Sequence, residues 1–210
     1  MKLRDRTWYP VAYMFVVTAA FSVVLVGFSR VTRERVEANR LLAFERAVLQ
    51  ASSLSVAPDA SGPELHALYA RSVRDPDAGS AGAYRVIENG SLRGYVLPFE
   101  GRGFWDVIKG VIGLAPDRRT ITGISFYAQR ETPGLGAEIV KPRFRAQFTG
   151  GKRMAEEGEP LVFKLENEPT GPTEVNAITG ASQTCARLER IVNDRLAEWR
   201  EAMDKAESPE

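Results

Sequence analysis

A long uncharged stretch near the N-terminus dominates the hydrophobic pattern. Residues Thr7 to Ser29 carry no charge, and Pro10 to Phe28 is almost wholly apolar. As a helix, the apolar part is about 28 Å long, close to the roughly 30 Å hydrocarbon thickness of a bilayer. The pattern therefore predicts a membrane-spanning helix. A cleaved signal peptide is the rival interpretation, but the run is longer than a typical signal-peptide core and no small-residue cleavage pattern follows it.

The charges on both sides of this stretch bear on its orientation and its continuation. Basic residues outnumber the single acidic residue in residues 2–6, whereas those in residues 30–37 are partly offset by glutamates. This asymmetry mildly favours a cytoplasmic N-terminus. Residues Val31–Gln50 contain neither Gly nor Pro and are rich in charge. We expect the helix to continue through them as a stalk with a broken apolar face.

Short apolar runs separated by turn residues follow, as in an α+β domain. Asn89-Gly90 between two such runs is a strong hairpin signal. A final amphipathic helix is indicated by apolar residues at intervals of three and four positions, from Leu188 to Trp199. The expected strands are Tyr84–Ile87, Leu92–Leu97, Thr120–Tyr127 and Pro160–Glu166. The other expected segments are a loop over Ser52–Gly62, a helix over Glu64–Ser72, irregular backbone around a short helix carrying Trp105 between Phe99 and Ala115, and a helical or irregular segment over Arg145–Gly158.

These elements divide the chain into four parts. We expect the cytoplasmic N-terminus and transmembrane helix in residues 1–29, a helical stalk in 30–50, one extracytoplasmic α+β domain in 51–205, and a tail in 206–210.

Composition excludes several kinds of site. The 210 residues carry a net charge of +1, which argues against a broad nucleic-acid surface. The single cysteine, Cys185, and the single histidine, His66, permit no disulfide within the chain and no Cys/His metal cluster. We therefore expect no metal. We also expect no catalytic residues, because no Ser-His or Cys-His pairing is supported by a motif. No G-x-G-x-x-G follows a strand, so we do not expect NADH to bind this chain.

Three hydroxyl residues lie just before the final helix. Thr179, Ser182 and Thr184 surround the pair Gly180-Ala181. A helix N-terminus favours a negative group such as phosphate, because its N–H groups are unpaired and its dipole is positive there. An ordinary N-cap formed by Ser182 or Thr184 explains the same residues.

A second candidate segment is Glu131-Thr-Pro-Gly-Leu-Gly136. Its Pro-Gly pair can form a tight turn, and glycine lets the backbone approach a planar ligand. An ordinary turn is the alternative.

Together, the two segments resemble the FMN-binding domain family. Asn176 to Ser182 is similar to that family's flavinylation motif, Asp-x-x-(Ser/Thr)-Gly-Ala-(Thr/Ser), whose last hydroxyl carries FMN through a phosphoester bond. The resemblance implies that Ser182 is the acceptor. Asn176 stands where the family has Asp, and Ser182 stands where Thr is commoner.

The resemblance also implies a set of pocket residues. Glu131 to Gly136 matches a family loop beside the flavin, and Trp105 is expected at the same pocket. The expected cofactor-binding residues are Ser182, Thr179, Gly180, Ala181, Thr184, Glu131, Thr132, Gly134, Leu135, Gly136 and Trp105.

The anchor, residues Tyr84–Ile139 and the final motif resemble the C subunits of the Na⁺-translocating NADH:quinone oxidoreductases, with the G subunit of the Rnf complex as a close alternative. This resemblance implies an electron-transfer subunit with covalent FMN, other membrane subunits as partners, and a separate flavin transferase that uses FAD and Mg²⁺. It also implies a bacterial inner-membrane protein with the domain outside the cytoplasm. One alternative is a membrane-tethered assembly or binding subunit without flavin, which Asn176 favours. A stand-alone extracytoplasmic flavin electron-transfer protein is the other.

Overall fold

The computed structural model describes residues 8–52, 54, 56–57, 59–151, 153–155, 159–165, 167–168 and 170–207. The basic flank at 2–6 lies outside these ranges. So do residues 53, 55 and 58 of the expected first loop, residues 152, 156–158 and 166 of the expected later segments, and residues 208–210 of the expected tail.

A single helix, α1, runs from Tyr9 to Ala51. Pro10 stands in its first turn, where proline costs no hydrogen bond. The expected continuation of the apolar helix through the charged stalk is confirmed. Within the described residues, α1 is the one helix long and apolar enough to cross a membrane, and its apolar part is not buried. Residues 1–41 form one unit of the chain, and a compact unit begins at Leu42.

The compact unit combines a meandering antiparallel sheet with helices. Its described helices are α2 Gly62–Ser72, α3 Pro142–Arg145 and α4 Ser182–Glu207. The sheet strands are β1 Val73–Arg74, β2 Tyr84–Glu88, β3 Ser91–Arg102, β4 Val107–Leu114, β5 Thr120–Ala128 and β6 Arg153–Met154, in spatial order β1 to β6. A parallel pair, β7 Val162–Lys164 and β8 Glu174–Asn176, stands apart from this sheet. The expected α+β fold class is confirmed.

Each face of the sheet supports a buried layer. Leu97 and Phe99 of β3 join the cluster that α4 completes with Leu188 and Val192. Val96, next to Leu97 in sequence, points to the other face and joins a cluster with the last turns of α1 and with α2. The sheet is therefore covered on both sides, and α4 is held against it by apolar burial.

The end of α1 is seated directly on the sheet. The Thr122 hydroxyl donates to the Ala51 carbonyl at 2.8 Å, which satisfies a carbonyl that the helix terminus leaves free. A Cβ at Gly113 would lie 2.1 Å from the same Ala51 oxygen, so only glycine permits this approach. The compact unit thus includes the last turns of α1 and begins before the expected boundary at residue 51.

The expected hairpin is confirmed, with positive φ at Asn89 (52°) and Gly90 (79°) as such a turn requires. The expected short helix carrying Trp105 is wrong. Strand β3 continues to Arg102, and Trp105 lies in the turn before β4. Glycines that suggested irregular backbone are close-packing positions: a Cβ at Gly101 would lie 2.5 Å from Ile191, and one at Gly110 2.4 Å from Phe99.

Several smaller expectations differ from the structure in extent. The loop expected over Ser52–Gly62 gives way to α2 already at Gly62, two residues before the helix expected from Glu64. The strand expected over Pro160–Glu166 is limited to Val162–Lys164. The segment Arg145–Gly158 contains a short 3₁₀ turn at Ala146–Phe148 and the edge strand β6, which forms because its backbone pairs with the start of β5.

Candidate functional site

The turn before α4 presents Ser182 at the start of the helix. The Ala181 N–H donates to the Ile178 carbonyl at 3.0 Å, and Gly180 has a φ of 80°, which favours glycine. The Cys185 N–H donates to the Ala181 carbonyl at 3.0 Å and makes the first intrahelical bond. Ala181 is therefore the N-cap, and the N–H groups of residues 182–184 precede that bond.

Ser182 is exposed at this terminus. Its hydroxyl makes no hydrogen bond with any part of the chain that the structure describes. The first turn of α4 contains no acidic residue, so no side chain of that turn neutralises its positive end. A free hydroxyl beside unpaired N–H groups is suited to an anionic group.

Thr184, two residues later, is in a different environment. It is buried, and its hydroxyl donates to Glu131 Oε2 at 2.6 Å. Thr184 lies within the helix, in its first turn. Its hydroxyl is occupied by this hydrogen bond, whereas that of Ser182 is exposed.

The loop Glu131–Gly136 folds as a tight turn. The Thr132 carbonyl accepts hydrogen bonds from the N–H groups of Leu135 and Ala137, both at 3.1 Å, and Gly134 has a φ of 75°. Thr132 and Leu135 are exposed at the surface. The turn therefore presents a hydroxyl and an apolar side chain at the surface.

Glu131 joins this loop to two other segments. Its Oε2 accepts a hydrogen bond from the Thr184 hydroxyl in α4, and its Oε1 accepts one from the backbone N–H of Trp105 at 3.0 Å. Its own N–H donates to Gln129 Oε1 at 2.6 Å. Glu131 is only 4% exposed. Three parts of the chain that are distant in sequence therefore meet at one buried side chain.

Both motifs line a cavity of about 290 Å³. A Cβ at Gly180 would lie 2.9 Å from Leu135 Cδ2, which shows how closely the two turns approach. The expected site residues on the cavity wall are Glu131, Thr132, Leu135, Gly136, Gly180, Ala181, Ser182 and Thr184. Gly134 and Thr179 line a neighbouring cavity of about 550 Å³ instead.

Trp105 does not line either cavity. Its side chain is 63% exposed, and its ring packs edge-on against Phe104 at 5.3 Å between centroids. Phe104 is the aromatic residue on the wall of the smaller cavity. Sequence reasoning missed it, although an aromatic pair directly after a glycine was an available signal.

Arg187 and Gln183 were also missed. The Arg187 guanidinium donates to the Gly103 carbonyl at 2.7 Å and lies 5.9 Å from the centre of the Phe104 ring, a cation–π arrangement. Gln183 lines the smaller cavity beside Ser182. Arg187 lies three positions after Thr184, a spacing that could have placed it on the same face of α4.

The larger cavity differs in character. Lys141, Arg143 and Asn176 lie on its wall. The backbone of Asn176 exchanges two hydrogen bonds with the Gln147 amide, at 2.7 and 3.0 Å. Asn176 Oδ1 is buried and has no hydrogen-bond partner within the described residues.

Cys185 lies behind the Ser182 turn. Burial raises the pKa of its thiol, while a hydrogen bond from the Ile178 N–H to Sγ, 3.3 Å long, acts in the opposite direction. The thiol is therefore a neutral, packed group at physiological pH. Within the described residues, no cluster of three His, Cys, Asp or Glu side chains could hold a metal ion.

Comparison with known proteins identifies the domain that carries this cavity. A family model described as the FMN-binding domain matches residues 103–197, which include both motifs. This part of the chain is similar to the FMN-binding domain family. The residues at the cavity fit FMN, because the free Ser182 hydroxyl at a helix N-terminus suits a phosphate, and Leu135 and Phe104 offer exposed apolar surface to a planar ring.

Curated relatives of this FMN-binding domain are named as C subunits of the Na⁺-translocating NADH-quinone reductase. The protein from Vibrio vulnificus is 34% identical over 108 residues, 50% of this chain and 42% of the relative. The protein from Pasteurella multocida is 31% identical over 137 residues, 64% of this chain and 48% of the relative. The chain thus spans about half the length of the curated relatives it matches.

Two crystal structures share the fold. NqrC of Shewanella oneidensis has a TM-score of 0.65 at 20% identity, covering 78% of this chain and 95% of its own. The C subunit of the Na⁺-translocating NADH-quinone reductase from Parabacteroides distasonis has a TM-score of 0.67 at 21% identity, covering 81% and 96% respectively.

Proposed function

We propose that this chain is an electron-transfer subunit that carries FMN as a phosphoester on Ser182, within a membrane-bound, ion-translocating NADH:quinone reductase complex. The observation that carries the proposal is the placement of Ser182: an exposed hydroxyl, first in α4, on the wall of a cavity lined by both motifs.

The choice among the three hydroxyls rests on their surroundings. Ser182 is exposed and its hydroxyl makes no hydrogen bond to the described part of the chain. Thr184 is 3% exposed and donates to Glu131, so an enzyme that modifies it must first break a buried contact. Thr179 lines the other cavity. Ser182 is therefore the one of the three hydroxyl residues that is both exposed and on the wall of the cavity lined by the two motifs.

The attachment requires a donor and a transferase. With FAD as donor, Ser182 Oγ forms a bond to the phosphorus of the FMN half, the bond between this phosphorus and the bridging oxygen breaks, and AMP leaves with that oxygen. The serine proton is released to solvent or to the transferase. Ser182 keeps the transferred group, so the chain is the substrate of this step and not its catalyst.

The residues around Ser182 have separate tasks in the loaded protein. The N–H groups at the start of α4 would hold the phosphate, since they precede the first intrahelical bond. Leu135 and Phe104 would offer apolar surface to the ring, and Thr132 would offer a hydroxyl at the same wall. FMN, when bound, supplies the electron-transfer chemistry, while the protein sets its position and reduction potential.

The assignment to a complex rests on the relatives' names and on α1. The relatives are subunits of an NADH-quinone reductase by name. Helix α1 is long and apolar enough to span a membrane. In the proposed topology, the basic flank at 2–6 faces the cytoplasm and the domain lies outside. Electrons then pass through this chain between other subunits of the complex.

The test is isolation of the complex with variants at the acceptor. The chain is tagged, extracted from native membranes in mild detergent and examined for covalent flavin fluorescence after denaturing electrophoresis. Wild type and Ser182→Thr should fluoresce and purify with membrane subunits that show NADH:quinone reductase activity. Ser182→Ala should purify with the same subunits but without the fluorescence.

Two other outcomes oppose the proposal. A wild-type chain that purifies with its subunits but never carries flavin supports an assembly role, for which Asn176, in place of the motif's Asp, is the relevant feature. A flavin-loaded chain that purifies alone points to a stand-alone electron carrier.

A further inference from the structure

Glu131 has the environment of a side chain that fixes other residues in place. It is 4% exposed, and each of its two carboxylate oxygens accepts one described hydrogen bond. The donors are the Thr184 hydroxyl and the Trp105 N–H, which lie 53 and 26 residues away in sequence. An ionised carboxylate is acceptor-only, which suits two donors.

Two glycines pack closely against this carboxylate. A Cβ at Gly136 would lie 2.5 Å from Thr184 Oγ1 and 2.8 Å from Glu131 Oε2, and a Cβ at Gly103 would lie 2.5 Å from Glu131 Oε1. The two glycines allow the backbone of neighbouring segments to close over the side chain. The carboxylate therefore sets the spacing between these segments.

Each connected segment carries one wall of the cavity. Trp105 follows Phe104, Thr184 belongs to the turn that begins with Ser182, and Glu131 begins the loop that ends in Leu135 and Gly136. Glu131 itself also lies on the cavity wall. The three segments therefore meet at this side chain.

We propose that Glu131 is a positioning residue for the FMN site, which holds the aromatic turn and the first turn of α4 at a fixed spacing, and that its negative charge makes the reduction potential of the bound FMN more negative. The second part rests on the proposed function, since it requires FMN in the cavity. The first part concerns this chain alone.

The electrostatic effect follows from charge balance. When dithionite supplies two electrons to FMN and one proton is taken up from water, the ring gains one negative charge. A buried carboxylate at the cavity wall repels this added charge, and the low local dielectric strengthens the repulsion. Removing the carboxylate charge should therefore make the flavin easier to reduce.

The first measurement uses the chain without FMN and reports positioning alone. Amide hydrogen exchange at Trp105 is compared in wild type, Thr184→Val and Thr184→Ser. Thr184→Val removes the hydroxyl that donates to Glu131 Oε2. Exchange at the backbone N–H of Trp105, which donates to Glu131 Oε1, should therefore accelerate by about tenfold. Thr184→Ser keeps a hydroxyl at this position, so Trp105 should remain as protected as in wild type.

The matched control for this measurement is Thr149→Val. Thr149 is exposed and donates to the Ala146 carbonyl at 3.0 Å, so the same chemical change is made outside the cavity wall. It should leave exchange at Trp105 unchanged. Unaltered protection of Trp105 in Thr184→Val would overturn the positioning role.

The second measurement uses the flavin-loaded chain. Glu131→Gln keeps the shape: its amide oxygen can accept from the Trp105 backbone N–H, and its amide NH2 can donate to the Thr184 hydroxyl oxygen, which reverses the direction of that hydrogen bond. The variant should shift the midpoint potential in a dithionite titration to a more positive value. Glu100→Gln removes an exposed carboxylate that is paired with Lys109 outside the cavity wall, and it should leave the potential unchanged. Equal potentials for wild type and Glu131→Gln would overturn the electrostatic role.

The exchange measurement and the potential measurement together distinguish failure of this inference from failure of the proposed function. If the wild-type chain accepts no FMN from FAD and a transferase, the proposed function and the electrostatic role both fail. The exchange measurement still decides the positioning role, because it needs no flavin.

Discussion

Leu135 and Gly180 bring the two motifs of the site into contact. A Cβ at position 180 would lie 2.9 Å from Leu135 Cδ2, and Gly180 has a φ of 80°. The close approach and the left-handed conformation both favour glycine here. The loop that begins at Glu131 and the turn that ends at Ser182 therefore pack as one surface.

Gly180→Ala should destabilise the domain, because alanine is strained at this backbone conformation and its Cβ contacts Leu135. The left-handed conformation costs about 1 kcal/mol for alanine, and the contact with Leu135 adds about 1 kcal/mol more. Gly90→Ala is the matched control, because Gly90 has a φ of 79° but nothing within 4 Å of its Cβ position. Urea unfolding should show a larger loss for Gly180→Ala than for Gly90→Ala, and the excess should vanish when Leu135 is also Ala. An excess that persists without the leucine side chain would mean that the contact is not its cause.

Leu135→Ala should change the surroundings of the flavin and leave its attachment intact. Leu135 is 42% exposed on the cavity wall, so its truncation removes apolar cover with little loss of stability. Covalent flavin should be retained, while the absorption spectrum or midpoint potential shifts. Leu165→Ala, at a residue that is 73% exposed outside the cavity wall, should change neither. A spectrum and potential identical to wild type in Leu135→Ala would remove this loop from the flavin site.

Much of the fold could be predicted from local patterns, and the failures have a common cause. The Asn89-Gly90 hairpin and the amphipathic α4 follow from turn chemistry and periodicity alone. Strand β4 was missed because it is covered on both faces and six of its eight residues are buried, so its apolar positions do not alternate. Its glycines were interpreted as loop signals, but Gly113 is required by the close approach of Ala51.

At the candidate site, too, local motifs could be predicted from the sequence, whereas contacts between distant segments could not. Resemblance placed Ser182 and Leu135 at one cavity, and the structure brings both to its wall. The hydrogen bond between Thr184 and Glu131 joins residues 53 positions apart and has no local signature. Pairing of this kind depends on the tertiary fold and cannot be read from spacing.

Cys185 should react slowly with thiol reagents while the domain is folded. Burial raises the pKa of its thiol, so the thiolate that reacts is scarcer than in the unfolded chain at the same pH. Because the folded pKa is the higher one, stability contributed by the neutral thiol is present at low pH and is lost as pH rises through the usual range of thiol ionisation and beyond. Iodoacetamide labelling at about pH 8, near the ordinary thiol pKa, should be slow in buffer and fast in urea. Rapid labelling of the native domain would contradict the buried placement.

Topology gives an independent prediction. With residues 2–6 cytoplasmic and α1 spanning the membrane, protease added to intact spheroplasts should digest the domain that follows α1. A cytoplasmic marker protein should remain intact in the same sample. Full protection of the domain, or a mature N-terminus located after Phe28, would refute the proposed orientation or the retained anchor.

The attachment point is the central claim, and peptide mass spectrometry tests it most directly. The chain is produced with a flavin transferase, FAD and Mg²⁺, digested, and the peptide containing Thr179, Ser182 and Thr184 is fragmented. We expect one FMN phosphoester, located on Ser182, absent from Ser182→Ala and retained in Ser182→Thr and Thr184→Ser. FMN on Thr179 or Thr184, or on none of the three, would contradict the assignment.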